Sequence, residues 1–193
     1  MLTPWGYEVG ELPDLITPEQ FSDETGGRFD GDARVAPAIK AASAAIRNYC
    51  GWHVAPALAC SVTVDGEPGD VWLPTCALVS VESATVDGAE VEVIAHTRRG
   101  RVRLARKTCG LGNVTIGFVA GFDAEALPDL VSIVAGRVVD AISLTTYGVA
   151  SESAGGVSVS YSPSALARAA SAALPDDVKA ALAPYRVVRS HAA

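Results

Sequence analysis

The stretch that decides the fold is residues 127–148, LPDLVSIVAGRVVDAISLTTYG. Pro128 suits the first position of a helix, where an amide hydrogen has no intrahelical partner, and Asp129 suits the positive helix start. Apolar residues recur at helical spacing and spread beyond a single stripe. This pattern predicts a helix that is buried on most sides and central to the core. Gly148 is placed to end it.

A short strand is expected directly after this helix. Gly155 and Gly156 free the backbone, and Val157, Val159 and Tyr161 then alternate with serines as in a strand. The segment has little neighbouring sequence to pair with. Two interpretations stay open: a mobile surface loop, or a segment that adds a strand to the edge of a neighbouring subunit or partner.

Two helices are predicted before residue 52. Thr17 and Gln20 form a capping box around Pro18. The second helix follows 30–32 and ends at Gly51, and Pro37 requires a start near residue 36 or a kink. Its apolar face consists of Val35, Ile39, Ala42, Ile46 and Tyr49.

Residues 58–121 change to a period of two, with frequent turn residues, which predicts antiparallel strands. Asp87-Gly88 is a strong hairpin signal. The predicted strands are Ser61–Asp65, Val71–Leu73, Leu78–Val86, Val91–Ala95, Arg101–Leu104 and Asn113–Val119.

The two ends of the chain are predicted from turn and helix signals. Residues 1–16 read as an extended arm that packs on a neighbouring subunit or frays, with Trp5 and Tyr7 as possible anchors. A helix is expected over 163–173, then a short one that Pro184 ends. Residues 185–189 read as an exposed tail with two arginines.

Together these elements predict an α+β fold: a helical core of four to five helices with a small antiparallel β unit inserted. The predicted domains are an arm over 1–16, a helical core over 17–57 and 122–193, and a β-rich insertion over 58–121.

Charge and composition narrow the possible partners. The net charge is −7, which disfavours general attraction to nucleic acid. Residues 98–107 nevertheless hold 6 of the 15 basic residues and no acid, which leaves 9 basic against 22 acidic residues elsewhere. A solvated hairpin face is favoured for them over a partner- or DNA-facing patch. No apolar run spans a bilayer and no secretory signal is visible, so we expect a cytoplasmic protein with no membrane contact.

No pattern of catalytic, metal-binding or cofactor-binding residues stands out. The four cysteines have neither Cys-x-x-Cys spacing nor a histidine pair, so reduced and mostly buried thiols are expected. His53, beside Trp52, is expected to be a packed residue. The alternative is an enzyme whose site is assembled from scattered residues such as His53, Cys50 and Asp32; an activated Cys50 would react readily with iodoacetamide.

The ordered series of motifs resembles the head–tail connector, or adaptor, proteins of long-tailed bacteriophages and related gene-transfer elements. Each motif alone is weak, but their order over residues 15–189 is specific. The matching stretches are Ile16–Phe21, Ala41–Gly51, Val86–Gly88, Val119–Phe122, Leu127–Leu130, Gly155–Tyr161 and Leu182–Arg186.

The resemblance implies a structural, non-enzymatic virion protein of the neck, assembled in the host bacterial cytoplasm. Such subunits form a twelvefold ring beneath the portal protein, extend the DNA channel and dock a stopper or tail-completion protein. Double-stranded DNA would pass without sequence-specific binding. The alternative in the same particle is a stopper or tail-terminator.

Two segments are the candidate contacts with partners or neighbouring subunits. The first is the glycine-led strand, and the second is the C-terminal tail, since tyrosine and arginine are favoured at interface hot spots. The candidate residues are Gly155, Gly156, Val157, Val159, Tyr161, Tyr185, Arg186 and Arg189.

Overall fold

The computed structural model describes residues 1–67, 69–123, 127–146, 151–154, 157–160 and 174–187. The chain forms two compact units. The β unit comprises Met1–Pro13, Arg47–Leu127 and Pro184–Ala193, and the helical unit comprises Asp14–Ile46 and Pro128–Ala183. The fold class is α+β, as predicted. These boundaries differ from those of the predicted arm, helical core and β-rich insertion. That division into domains stays a prediction.

A five-stranded antiparallel sheet forms most of the β unit, in the order β1-β2-β8-β4-β5. The central pair β2 and β8 runs in register from Leu58 opposite Ala120 to Val64 opposite Val114. Alternate side chains such as Val62, Ile116 and Phe118 are buried, as the period of two predicts. The strands are β1 (Glu8–Val9), β2 (Leu58–Gly66), β4 (Leu78–Val86), β5 (Ala89–Glu90) and β8 (Gly110–Ala120).

A second sheet of three strands has the order β3-β7-β6. Val71 pairs with Val102, and both side chains are buried. Trp72 pairs with Arg101 on the exposed side. The strands are β3 (Val71–Trp72), β6 (Val93–His96) and β7 (Arg101–Leu104).

The predicted hairpin at Asp87-Gly88 is confirmed, with φ of 53° and 78° at the two turn residues. The predicted bounds of the return strand, Val91–Ala95, are wrong. The return strand is Ala89–Glu90, extended by a hydrogen bond from the Val91 amide to the Ala84 carbonyl at 2.9 Å, and Val93–His96 pairs with β7 in the other sheet. Local sequence cannot distinguish these two sheets, because either one supplies a strand edge.

Residues 1–13 belong to the β unit. Glu8 and Val9 pair with Ser61 and Cys60 at the edge of the large sheet. Tyr7 is 1% exposed and Val9 is 4% exposed. Tyr7 is an anchor, as predicted, but the segment is not an extended arm that frays or packs on a neighbouring subunit, because Leu2 pairs back with Glu8 and the segment packs within the chain.

Helix α1 (Pro18–Thr25) begins and ends at its predicted capping residues, and α2 (Val35–Cys50) starts one residue before the predicted residue 36 and ends before Gly51 as predicted. Thr17 and Gln20 form the capping box, with hydrogen bonds of 3.2 and 2.9 Å. Gly26 ends α1 with φ of 61°. Pro37 lies in the first turn of α2, where its missing N–H leaves no hydrogen bond unmade.

The buried face of α2 differs from the predicted one. Ala42 and Tyr49 are only half-buried, whereas Ser43, Arg47 and Cys50 are buried. Ser43 lies in the core because its hydroxyl accepts a hydrogen bond from the Leu15 amide at 3.0 Å. The last turn of α2, from Arg47, belongs to the β unit.

Helix α3 (Pro128–Thr146) starts at the predicted proline. Its buried side chains are Leu130, Val134, Ala135, Val138 and Ile142, which lie on one face. The prediction of burial on most sides is wrong, since the flanking valines and isoleucine are half-buried and positions 136, 140 and 141 are exposed. Gly148 lies outside the described residues.

The strand predicted at 157–161 exists, but it has a partner within the chain. Strand β10 (Val157–Ser160) pairs antiparallel with β9 (Ser151–Ala154). The expectation that nearby sequence offers no partner was wrong, because serine-rich 151–154 also adopts a strand. Gly155, Gly156, Tyr161 and the helix predicted over 163–173 lie outside the described residues.

The last described helix, α4 (Asp176–Leu182), ends just before Pro184. A single 3₁₀ turn follows over Ala183–Tyr185.

Candidate interaction sites

A buried arginine joins three backbone segments of the β unit. Arg47 is 4% exposed. Its Nε donates to the carbonyl of His53 at 2.8 Å, and Nη2 donates to those of Pro13 and Ala55 at 2.7 and 2.8 Å. The guanidinium therefore fixes the loop after α2 against the N-terminal segment. Nothing in the local sequence distinguished Arg47 from a surface residue.

His53 is a packed residue, as predicted, and is 1% exposed. Its Nε2 lies 2.8 Å from the carbonyl oxygen of Ala120, which can only accept, so Nε2 carries the proton. Nδ1 then accepts from the Tyr7 hydroxyl at 2.8 Å, and that hydroxyl accepts from the His53 amide at 2.9 Å. The network requires the neutral imidazole. Burial, with the charge of Arg47, lowers the pKa of His53.

The residues of the enzyme alternative are each occupied locally. Burial raises the pKa of the Cys50 thiol to about 12, which disfavours the reactive thiolate. Asp32 pairs with Arg34 at 2.6 Å, and hydrogen bonds from Arg34 lower the pKa of this carboxylate to about 2. Over the described residues, no cluster of His, Cys, Asp and Glu is arranged to hold a metal ion. The geometry gives no support to a catalytic centre at these residues.

The cysteines are all free, as predicted, but only half of them are buried. Cys50 and Cys60 are buried, Cys76 is half-buried and Cys109 is exposed. The expectation of mostly buried thiols therefore fails for Cys109, which directly precedes β8 at the sheet periphery.

The segment predicted as an exposed tail is docked on the β unit. Tyr185 is 8% exposed, and its ring meets that of Phe122 edge-to-face at 5.5 Å between centroids. Trp52 Nε1 donates to the Tyr185 carbonyl at 2.6 Å. The Val187 amide donates to the Cys50 carbonyl at 2.9 Å. The prediction of exposure is wrong for Tyr185, because an aromatic cluster covers it.

Arg186 is the exposed residue of this segment. Its guanidinium lies 5.3 Å from the centroid of the Tyr49 ring, within range of a cation–π interaction. Arg189 lies outside the described residues. The predicted contacts of Tyr185, Arg186 and Arg189 with a partner stay predictions.

The serine-rich hairpin is the other predicted contact. Val157 pairs with Ala154, and Val159 pairs with Glu152. Within the described part of the chain the hairpin forms a two-stranded sheet of its own, so each strand has an outer edge. An outer edge is the feature that strand addition requires.

The basic stretch forms the β6–β7 turn and the exposed side of β7. Arg103 binds the Asp70 carboxylate through two hydrogen bonds, of 2.8 and 3.1 Å, and Arg101 also binds it. The Arg101 guanidinium lies 5.7 Å from the centroid of the Trp72 ring. We call Trp72, Arg101 and Arg103 the Trp72 surface. No sequence pattern singled out Trp72 or Asp70. The alternation in β3 and β7 nevertheless indicates that the exposed side chains of these two strands share one face.

A pocket lies beside α1 in the helical unit, with a volume of about 190 Å³. Phe21 and Phe29 line it, and their ring centroids are 5.8 Å apart. Asp30, Asp32 and Ala33 lie along it as well. We call this the α1 pocket. No sequence pattern predicts this pocket.

Among the described helices, none combines the length and apolar character that crossing a bilayer requires.

Comparison with known proteins gives structural likeness only. No family model matches the sequence, and no curated protein matches it. A chain from the neck of a native gene transfer agent (GTA) particle, computed with C12 symmetry, is 19% identical with a TM-score of 0.53. The likeness covers 95% of this chain and 99% of that one. A chain from the virion of a native gene transfer agent particle is 19% identical with a TM-score of 0.60, over 97% and 98% of the two chains. The chain therefore shares its fold with proteins found in the neck and virion of a gene transfer agent particle.

Proposed function

We propose that the chain is a structural subunit of the head–tail neck of a phage-like particle. Its specific role is that of a connector, or adaptor. Copies form a ring beneath the portal, extend the DNA channel and dock the stopper or the tail. The chain acts through binding and has no catalytic role.

The observation that carries this proposal is the extent of the structural likeness. It covers 95% of this chain and 99% of a chain from a particle neck. A match of this extent includes elements of both units, the sheets and the helices. That neck was computed with C12 symmetry, which supports a ring of twelve copies for this chain as well.

Two properties of the chain agree with this role. The residues of the enzyme alternative are buried or paired, as described above for His53, Cys50 and Asp32. The net charge of −7 suits a channel wall past which DNA must slide without tight phosphate binding.

The candidate contacts take distinct parts in this proposal. The hairpin strand with Val157 and Val159 adds to a strand edge of a neighbouring subunit or partner. Arg186 and Arg189 contact the portal. Tyr185 supports that contact indirectly, because it holds the C-terminal segment on the β unit.

The test is the mass in solution by light scattering, with and without an isolated portal ring from the same particle. We expect a discrete ring, or stoichiometric capture by the portal. A chain that stays monomeric and ignores the portal contradicts the connector role. Capture by an isolated tail instead supports the alternative of a stopper or tail-terminator.

The portal contact has its own variant. Arg186→Glu with Arg189→Glu should weaken portal capture and leave the fold intact, because Arg186 is exposed and the buried Tyr185 is kept. Lys40→Glu is the matched control, a charge reversal at another exposed position. Equal capture of both variants removes the C-terminal arginines from the interface.

A further inference from the structure

The Trp72 surface exposes a large aromatic side chain beside two arginines on one small sheet. Trp72 is 60% exposed. Val71 and Val102, on the opposite side of the same sheet, are 4% and 0% exposed, so the sheet already has a buried face. Exposed tryptophan and arginine together are typical of protein interfaces, where tryptophan, tyrosine and arginine dominate the hot spots.

The arginines of this surface are held in place before any partner binds. Asp70, whose side chain is 8% exposed, is paired with both Arg101 and Arg103, whose side chains are 49% and 58% exposed. Each guanidinium therefore has one side bound to Asp70 and much of its surface open. Side chains that are already ordered lose less conformational entropy on binding.

The charge around this surface favours an acidic partner. Residues 98–107 carry six basic side chains and no acid, whereas the rest of the chain has a net charge of −13. A second copy of the same chain is therefore an acidic partner that is always present at equal concentration. Opposite potentials attract during encounter and set the orientation of binding.

The α1 pocket has the complementary chemistry. Residues 17–34 contain five acidic side chains and two arginines, of which Arg34 is paired with Asp32, so the segment keeps a net negative charge. The pocket is lined by Phe21, Phe29 and Pro18, and Asp30 and Asp32 border it. Its volume of about 190 Å³ is below the ~300–1,000 Å³ of small-molecule sites, so it suits one side chain better than a ligand.

We infer that the Trp72 surface of one copy binds the α1 pocket of the next. Trp72 enters the open side of the pocket, and the arginines face its acidic border. The two contact surfaces differ, so two bound copies together still have one free surface of each kind. Such a contact repeats from copy to copy and closes a ring when the rotation permits. This inference rests on the proposed ring and names the contact that builds it.

The test uses sedimentation velocity on the full chain, alone and with the isolated portal ring, under whichever condition the wild-type chain assembles. Trp72→Ala removes one half of the contact. Ala33→Lys places a bulky positive charge in the pocket at an exposed position and removes the other half. Leu111→Ala is the control, because Leu111 is 89% exposed and lies on β8, away from both surfaces in sequence. Circular dichroism checks that every variant folds.

We expect Trp72→Ala and Ala33→Lys each to weaken association by roughly tenfold or more, as loss of a hot spot does. Leu111→Ala should associate as the wild type does. Added salt should weaken the wild-type association, because charges contribute to it. An equal mixture of the two defective variants retains one intact contact per pair, so it should form dimers and nothing larger.

The outcomes separate this contact from the proposed function. If the wild type assembles and Trp72→Ala assembles equally well, the contact is overturned and the neck role stands. A mixture of folded variants that gives no dimers also overturns the contact. If the wild type assembles under neither condition, the ring function itself fails, and this contact fails with it.

Discussion

Two of the three tryptophans of the β unit are in opposite situations. Trp52 is fully buried and donates its indole hydrogen to the Tyr185 carbonyl. Trp72 is 60% exposed and lies beside Arg101. The arginines of the β unit differ in the same way. Backbone carbonyls enclose Arg47, whereas Arg101 and Arg103 share one carboxylate at the surface. The same residue types therefore stabilise the fold in one place and remain available for binding in the other.

The largest effect on this comparison is expected from Arg47→Met. The substitution keeps most of the buried volume but leaves the carbonyls of His53, Pro13 and Ala55 without their donor. The free energy of unfolding in urea should fall by roughly 3 kcal/mol or more. Arg47→Lys keeps the charge but cannot reproduce the planar fork, so it should be intermediate. Stability equal to the wild type would mean that the network is dispensable.

Trp52→Phe should cost about 2 kcal/mol, from the lost indole volume and the unpaired Tyr185 carbonyl. Release of the C-terminal segment should also expose Cys50, because the Cys50 carbonyl accepts a hydrogen bond from the Val187 amide of that segment. Iodoacetamide labelling of Cys50, read by mass spectrometry, should increase. Labelling of the exposed Cys109 should not change. Unchanged Cys50 labelling would show that the segment is held by other contacts.

Tyr7→Phe should cost about 1.5 kcal/mol, because removal of one hydroxyl leaves the His53 amide and Nδ1 without partners. Thermal or urea unfolding measures the loss. A free energy of unfolding equal to that of the wild type would contradict a special role for the Tyr7 hydroxyl.

The pH dependence of stability should report the neutral state of His53. Burial lowers its pKa in the folded chain, so the unfolded chain binds the proton more readily. Stability should therefore fall as the pH is lowered from about 7.5 through the unfolded value of ~6.5, a window above the carboxylate titrations. His53→Gln should flatten this slope. A flat wild-type profile would contradict the assignment.

The smallest effect is expected from Trp72→Phe. At an exposed position away from caps and buried networks, the free energy of unfolding should change by less than about 0.5 kcal/mol. Urea unfolding in parallel with Trp52→Phe makes the contrast direct. A large loss in Trp72→Phe would remove the distinction between the two tryptophans.

Features set by neighbouring residues could be predicted from the sequence. The capping box at Thr17, the hairpin at Asp87-Gly88 and the start of α3 at Pro128 all depend on chemistry within a few positions. Features that depend on distant partners could not. Arginine and tyrosine are common at protein surfaces, and the local sequence does not mark Arg47 and Tyr185 as buried. Their partners, Pro13 and Trp52, lie beside them only in the folded chain.

The candidate site was predictable only in its composition. The sequence identified the basic stretch 98–107 and the exposed arginine at 186. It did not identify Asp70, which lies 31 positions from Arg101 and orders both arginines of β7. The α1 pocket was hidden for the same reason, because residues from α1, the following loop and the start of α2 line it together.

The docked C-terminal segment has a consequence for the time course of biosynthesis. Tyr185 and Val187 complete the β unit, yet the ribosome makes them only after the whole of 128–183. Trp52 and Cys50 therefore lack their contacts with Tyr185 and Val187 while more than fifty further residues are translated. The β unit reaches its final state late, and a nascent chain stalled before residue 185 carries an exposed aromatic cluster that chaperones can recognise.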